Sequence, residues 1–219
     1  MPTAPVPPRR VGVVGAGMAG LCTACFLQEQ GIGVTVLERT AVAAGASAGN
    51  AGWITPALVA PLPDPVILRE GLRAVMSRSA AVYLPRLPGP GLPAGPVYLP
   101  AQRLACTPLP SGRLRVAGVM EFRLAGAALD HGRVARIADG LPALLAGVDP
   151  GARQDEWVGA RPCTPDGLPV IGRTRSARIF VAGGHGMWGI TLGPVTGRLL
   201  AGLVTGRPAP ELRPFDPLR

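Results

Sequence analysis

Apolar residues come in short runs punctuated by glycine. Val11, Val13 and Val14 form a strand-like run that leads directly into Gly15-Ala-Gly17-Met-Ala-Gly20. A helix-like stretch follows over residues 18–30, and a second apolar run, Val34-Thr-Val-Leu37, ends on Glu38. The pattern predicts a strand–helix–strand unit with an acidic residue closing its second strand. Each glycine has a physical task in such a unit. Gly15 permits the tight turn, Gly17 admits a pyrophosphate to the backbone, and Gly20 lets the helix pack against the sheet. The helix start offers free N–H groups and a partial positive charge to the phosphates. Glu38 is placed to accept hydrogen bonds from an adenosine ribose; its bland alternative is an exposed strand-end carboxylate.

The pattern changes after residue 38. A loop over 39–56 is rich in small residues, which lets backbone lie close to a flat ligand. Residues 65–77 read as a short helix with Pro65 near its start. Six prolines between residues 85 and 100 rule out a regular element there. Three strand-like runs follow, at 97–99, 103–107 and 113–123. In the third, Leu114, Val116, Gly118, Met120 and Phe122 recur with period two. Pro110-Ser-Gly112 supplies a hairpin turn before it. Residues 131–146 look helical, divided at Gly140 and Pro142, and residues 154–160 look like a strand. Near the end, a short strand at 179–182 meets a glycine-rich turn at 183–189. A helix over 193–205 follows, with Pro194 expected in its first turn, and then an irregular Pro-rich tail. No solenoid-type repeat is present.

Composition narrows the function classes. All 22 basic residues are arginine, and the net charge is +9. The arginines are scattered, and aromatics make up only 4% of the chain, so nucleic acid is not an expected partner. The cysteines are Cys22, Cys25, Cys106 and Cys163. Cys22 and Cys25 have redox or zinc spacing, but they fall inside the first helix with no second pair to complete a metal site. They read as small buried helix residues, no metal is expected, and nothing demands an oxidising compartment. Pro8-Arg9-Arg10 before an apolar run could pass for a twin-arginine signal. The glycines that break that run satisfy the nucleotide fingerprint instead. No other stretch is long, apolar and glycine-poor enough to span a bilayer.

Four blocks together resemble the FAD-dependent oxidoreductases of the D-amino acid oxidase and glycine oxidase superfamily, most of all the D-amino acid dehydrogenase branch. They are the fingerprint through Glu38, Ser47-Ala-Gly-Asn-Ala-Gly52, Arg161-Pro-Cys-Thr-Pro-Asp-Gly-Leu-Pro-Val-Ile-Gly172, and Gly184-His-Gly-Met-Trp-Gly-Ile-Thr-Leu-Gly-Pro194. The resemblance implies an α/β fold with a Rossmann-like FAD-binding βαβ core and a truncated, antiparallel β-rich substrate domain. It divides the chain into an FAD-binding part at 1–84, a Pro/Gly-rich junction at 85–100, a remnant of the substrate domain at 101–160 and a returning FAD-binding part at 161–219. Members are usually nearly twice as long, so this chain looks like one with its middle deleted near the junction.

The resemblance also implies roles. Gly15, Gly17, Met18, Ala19, Gly20, Glu38 and Arg39 would hold the ADP half of FAD. Ser47, Asn50, Ala51 and Gly52 would lie near the pyrophosphate and flavin ring, and Gly186, Met187, Gly189, Ile190 and Thr191 would face the flavin pyrimidine edge. Arg161 is the candidate for clamping a substrate carboxylate, with a structural pairing to Asp155 or Asp166 as the alternative. His185 is expected to be packed or hydrogen-bonded, not to act as a base, and Asp166-Gly167 to form a turn.

The implied reaction is oxidative deamination of a D-amino acid by hydride transfer from the α-carbon to flavin N5, with electrons passed to a quinone or another acceptor, or to oxygen. A quinone acceptor would place a cytoplasmic protein in peripheral contact with the inner face of the membrane. The rival expectation is a non-catalytic FAD-binding remnant or subunit that needs an oligomer or partner chain. An NAD-binding module fits less well, because the C-terminal glycine turn has no task there.

Overall fold

The computed structural model describes residues 6–50, 78–85, 93–99, 102, 104–121, 128–139, 141, 145 and 148–219. Its strands in chain order are β1 (Arg10–Val14), β2 (Gly33–Leu37), β3 (Arg78–Pro85), β4 (Val97–Leu99), β5 (Leu104–Pro108), β6 (Arg113–Glu121), β7 (Gln154–Ala160), β8 (Val170–Arg173) and β9 (Phe180–Gly183). Its α-helices are α1 (Met18–Glu29), α2 (His131–Asp139) and α3 (Gly189–Val204). The chain separates into two compact units. The first holds residues 1–48, 54–67 and 162–219, and the second holds 49–53 and 68–161. The expected helix at 65–77, much of the expected junction, and the loop beyond Asn50 fall outside the described residues.

In the first unit β1 and β2 pair in parallel, Arg10 opposite Gly33 through Val14 opposite Leu37, and α1 makes the crossover between them. Leu27 and Ile32 are buried with Ala201 of α3, and Val11, Phe26 and Val34 pack around them. Leu200, on α3, is buried instead with Ile171 of β8 and Leu212 of the tail. Thus α3 packs against two groups of elements, β1–α1–β2 and the antiparallel hairpin β8–β9.

Helices α1 and α3 lie unusually close. A Cβ on Gly197 would stand 2.6 Å from Cys22 Cβ and from Thr23 N, and one on Gly193 would collide with Met18 Cγ. At their far ends Thr205 Oγ1 donates to Gln30 Oε1 at 2.8 Å. All three pairs are separated by 175 residues in sequence, so the helices run parallel and in step. Gly193 and Gly197 sit one turn apart and remove the side chains that would hold the helices further away.

The second unit is a five-stranded antiparallel sheet in the order β4-β5-β6-β3-β7, with α2 on one face. Alternate residues point inward: Leu104 and Cys106 on β5, Leu114 and Val116 on β6. They meet Val134, Ile137 and Ala138 of α2, which share one helix face. The hairpin expected at residues 110–112 joins β5 to β6. Gly112 has φ +78°, and Leu109 N donates to Arg113 O at 2.8 Å.

Four local expectations change. On α1, Cys22 is only partly buried and Cys25 is exposed, where both were expected inside. Helix α3 begins at Gly189, so Pro194 lies inside the helix and not in its first turn. Its missing N–H interrupts one backbone bond only, and the packing of α3 on both sides outweighs that. The tail is not irregular throughout, because Pro210–Phe215 form a 3-10 helix that buries Leu212. Finally, β3 and β8 are strands that the residue pattern did not announce.

The closeness of the helices gives a stability prediction. Gly197→Ala forces α1 and α3 apart and should cost about 1–3 kcal/mol. A lowered midpoint of thermal unfolding would record it; an unchanged midpoint would show that the helix contact is loose.

Candidate functional site

The site is built at one end of the first unit, where strands, turns and helix starts converge. Strand β1 ends at Val14, and Gly15 follows with φ +105°, a conformation natural to glycine. Gly15 N donates to Leu37 O at 2.8 Å, which carries the β1–β2 pairing into the turn. A Cβ at Gly20 would overlap the carbonyl oxygen of Gly15, so the helix can descend onto the turn only because residue 20 is glycine. Gly17 is the N-cap of α1 and contributes no side chain.

Two side chains support this turn from outside it. Ser47 Oγ accepts from Met18 N at 3.0 Å, supplying the cap that Gly17 lacks. The segment that carries Ser47 docks on the turn through Ala43 N, which donates to Ala16 O at 2.9 Å. Glu38 Oε2 accepts from Ala16 N at 2.7 Å, while Oε1 accepts from Arg39 N at 2.7 Å and Thr40 N at 3.1 Å. These backbone bonds, that from Ala16 foremost, hold the Glu38 carboxyl below the ordinary carboxylate range. Glu38 is therefore ionised and braces the glycine turn. A carboxylate offers about four lone-pair positions, so capacity for a ligand hydroxyl remains.

The second half of the site comes from β9 and α3. Gly184 and Gly186 have φ +74° and +54°, and the turn they shape delivers the chain to Trp188, the N-cap of α3. Leu192 N donates to Trp188 O at 2.8 Å, which leaves the N–H groups of Gly189, Ile190 and Thr191 without acceptors inside the helix. Gly186 differs from its neighbours, because its N–H donates to Pro162 O at 2.8 Å. Met187 is exposed. His185 is buried with one ring nitrogen 2.9 Å from Thr196 Oγ1, and burial pushes its pKa down. It is a neutral tie between the turn and α3.

Both α1 and α3 lack an acidic residue in the first turn, and neither N-cap side chain makes a capping bond. Because the helices are parallel and in step, their positive ends lie side by side, with α3 projecting about 6 Å further, one turn's rise. Such an arrangement suits an extended ligand with anionic charge near both ends of its central part. The glycine cradle, the two helix starts without first-turn carboxylates and the Glu38 carboxylate fit a dinucleotide with a diphosphate bridge. Among the described residues no cluster of His, Cys, Asp and Glu could hold a metal ion.

Arg161 follows β7 directly and is half-buried in the second unit, where Asn50 O accepts from Arg115 Nη1 at 2.9 Å. Asp155 is held by Arg113 at 2.6 Å, and Asp166 by Arg219 at 2.8 Å. Ala51 and Gly52 lie outside the described residues. The capping role of Ser47 and the bracing role of Glu38 were not visible in the sequence, because both depend on backbone donors far away along the chain.

A pH prediction follows from Glu38. Its carboxyl is depressed in the folded protein, so its contribution to stability is complete above the ordinary value of 4.5 and fades as pH falls through the lower folded value. The difference in urea midpoint between the wild type and Glu38→Gln should shrink as the pH is lowered from neutrality to below 4. A difference that stays constant with pH would remove the bracing role.

Comparison with known proteins agrees with this geometry. The model of the family described as FAD dependent oxidoreductase matches residues 10–88 and 65–203. A D-amino acid dehydrogenase from Cereibacter sphaeroides is 34% identical over 194 residues, covering 87% of this chain and 42% of the relative. The D-amino acid dehydrogenase of Methylobacterium radiotolerans is 33% identical over 193 residues, covering 87% of this chain and 44% of the relative. The chain thus spans less than half the length of these relatives. Among solved structures, glycine oxidase from Bacillus cereus shares the fold with a TM-score of 0.74 at 14% identity, covering 95% of this chain and 98% of that chain. Glycine oxidase from Geobacillus kaustophilus matches with a TM-score of 0.57 at 28% identity, covering 69% of this chain and 42% of that chain.

Proposed function

The chain belongs to the family of FAD-dependent oxidoreductases, and from that premise we propose that it binds FAD in its first unit and oxidises the α-carbon of an amino acid, with a D-amino acid as the expected substrate. The observation that carries the reading is the pair of parallel helix starts, neither with an acidic residue in its first turn, beside a turn that requires glycine. When bound, FAD would supply the acceptor for a hydride from the α-carbon, and water would hydrolyse the resulting imino acid to an oxo acid and ammonia.

The chain's own residues bind and orient. Gly15, Gly17 and Gly20 shape the cradle for the diphosphate, with Met18 and Ala19 at the start of α1 and Arg39 beside the braced Glu38. Glu38 accepts from the ribose while it holds Ala16. Ser47, Asn50, Ala51 and Gly52 are assigned to the cofactor on the family resemblance, Ala51 and Gly52 lying outside the described residues. Gly186 and Met187 give the second turn its shape. The N–H groups of Gly189, Ile190 and Thr191 stabilise the negative charge that gathers on the pyrimidine edge of the reduced ring. The Arg161 guanidinium makes two parallel hydrogen bonds to the substrate carboxylate and so orients the α-carbon. His185 carries no proton in the reaction.

The relatives' name, dehydrogenase, favours an acceptor other than oxygen, and a quinone in that role would bring peripheral membrane contact. No helix among the described residues is long and apolar enough to cross a membrane. A second reading, a non-catalytic FAD-binding subunit that needs a partner chain, is favoured by the short span of the chain and by Val14 and Leu37, which stand 86% and 57% exposed on β1 and β2.

Two measurements separate these readings. The purified chain should be yellow, and its visible flavin band should bleach when D-amino acids are added without oxygen. A band that persists would favour the non-catalytic reading, and a colourless protein that takes up no added FAD would overturn both. In a bleaching protein, Arg161→Ala should lower kcat/KM about a hundredfold, chiefly through KM. An unchanged KM would remove the carboxylate assignment.

A further inference from the structure

The segment beyond α3 turns back along the first unit and ends in a concentrated set of contacts. Arg219 Nε donates to Asp166 Oδ2 at 2.8 Å, and its Nη2 donates to Asp166 Oδ1 at 3.0 Å. The same guanidinium also donates to the carbonyls of Leu168 at 3.1 Å, Pro169 at 3.3 Å and Asp216 at 3.1 Å. The planar fork thus engages a carboxylate with both arms, the backbone of the same loop, 162–169, with two further donors, and its own tail at Asp216 O with another. The tail lies close enough to β8 that a Cβ on Gly172 would stand 2.9 Å from Pro217 Cδ.

The gripped loop is itself tightly bonded. Thr164 Oγ1 donates to Leu168 O at 2.6 Å, and Leu168 N donates to Asp166 Oδ1 at 3.1 Å. Its other side meets the second glycine turn of the candidate site. Pro162 O accepts from Gly186 N at 2.8 Å, and a Cβ on Gly184 would stand 2.5 Å from the Thr164 methyl group. One loop is therefore clasped by Arg219 on one side and supports the turn at 184–189 on the other.

We propose that Arg219 is a positioning residue: by clamping the loop 162–169 through Asp166, it fixes the glycine turn and so aims the free N–H groups of α3 at the bound ligand. The proposal rests on the FAD-binding reading above. Arg219 touches neither ligand nor substrate in it and acts only through the loop. The hydrogen bonds from Arg219 hold the Asp166 carboxyl down to about 2, so both partners are charged throughout the neutral range. The Asp166 side chain is 45% exposed, so solvent screens the pair and its contribution to overall stability is small. Its value lies in geometry, because the bidentate fork permits only one orientation of the loop.

The test is amide hydrogen exchange on the whole chain, read together with FAD affinity. In Arg219→Ala the Gly186 amide should exchange about tenfold faster, while the amide of Leu27 in α1 keeps its protection. FAD should bind about tenfold more weakly. Arg219→Lys, with a point charge in place of the fork, should fall between the wild type and Arg219→Ala on both readouts. Asp166→Asn, which keeps the shape and removes the charge, should reproduce the faster exchange at Gly186. Unchanged Gly186 exchange in Arg219→Ala overturns the proposal, and so does faster exchange with unaltered FAD affinity. General loss of protection in both Arg219→Ala and Asp166→Asn also overturns it, since the tail would then serve the whole unit. A wild-type chain that fails to bind FAD would sink the cofactor reading alone, and the exchange data would still decide whether Arg219 fixes the turn.

Discussion

Gly193 and Gly197 set how near α3 comes to α1, and the rest of the first unit is arranged around that contact. With Met18 and Cys22 packed against bare backbone, the two helices run parallel and in step as far as Gln30 and Thr205. Two parallel helices bring two positive ends together. Ser47 caps one N–H of α1 from a distant loop, neither N-cap residue makes a capping bond, and neither first turn holds a carboxylate. The end of the unit is left electrostatically suited to an anionic ligand, and the glycine turns give that ligand room.

The parts around the helices serve this end. Glu38 and Ser47 fix the first turn through Ala16 N and Met18 N. The loop 162–169 fixes the second through Pro162 O and Gly186 N, and His185 ties that turn to Thr196 inside α3. The second unit has its own core, where alternating residues of β5 and β6 meet one face of α2.

Where structure arises from neighbouring residues, the sequence was readable. The βαβ unit could be seen because Gly15 and Gly20 answer local demands, a positive φ and a close approach of helix to turn. The hairpin at 110–112 and strand β7 also follow from local pattern. Distant partners defeated the reading elsewhere. Strand β3 lies between β6 and β7, which come tens of residues later, and its pairing is irregular near Ser79 and again near Ala81. The start of α3 was misplaced because Pro194 looked like a helix opener, while packing against α1 extends the helix through it. The tail looked irregular because its prolines are frequent, yet Pro210 and Pro214 fit a 3-10 helix and Leu212 anchors it. At the site, the glycines and Glu38 were legible as residues, whereas the Asp166–Arg219 pair, 53 residues apart, was not.

In the proposed reading both helix starts serve one ligand, α1 its ADP half and α3 its flavin half. The most direct measurement is a pair of calorimetric titrations of the apoprotein, one with FAD and one with ADP. The account predicts that FAD binds at least about tenfold more tightly than ADP, because only FAD reaches the second helix start. Equal affinities for the two would contradict it and reduce the site to the first glycine turn alone.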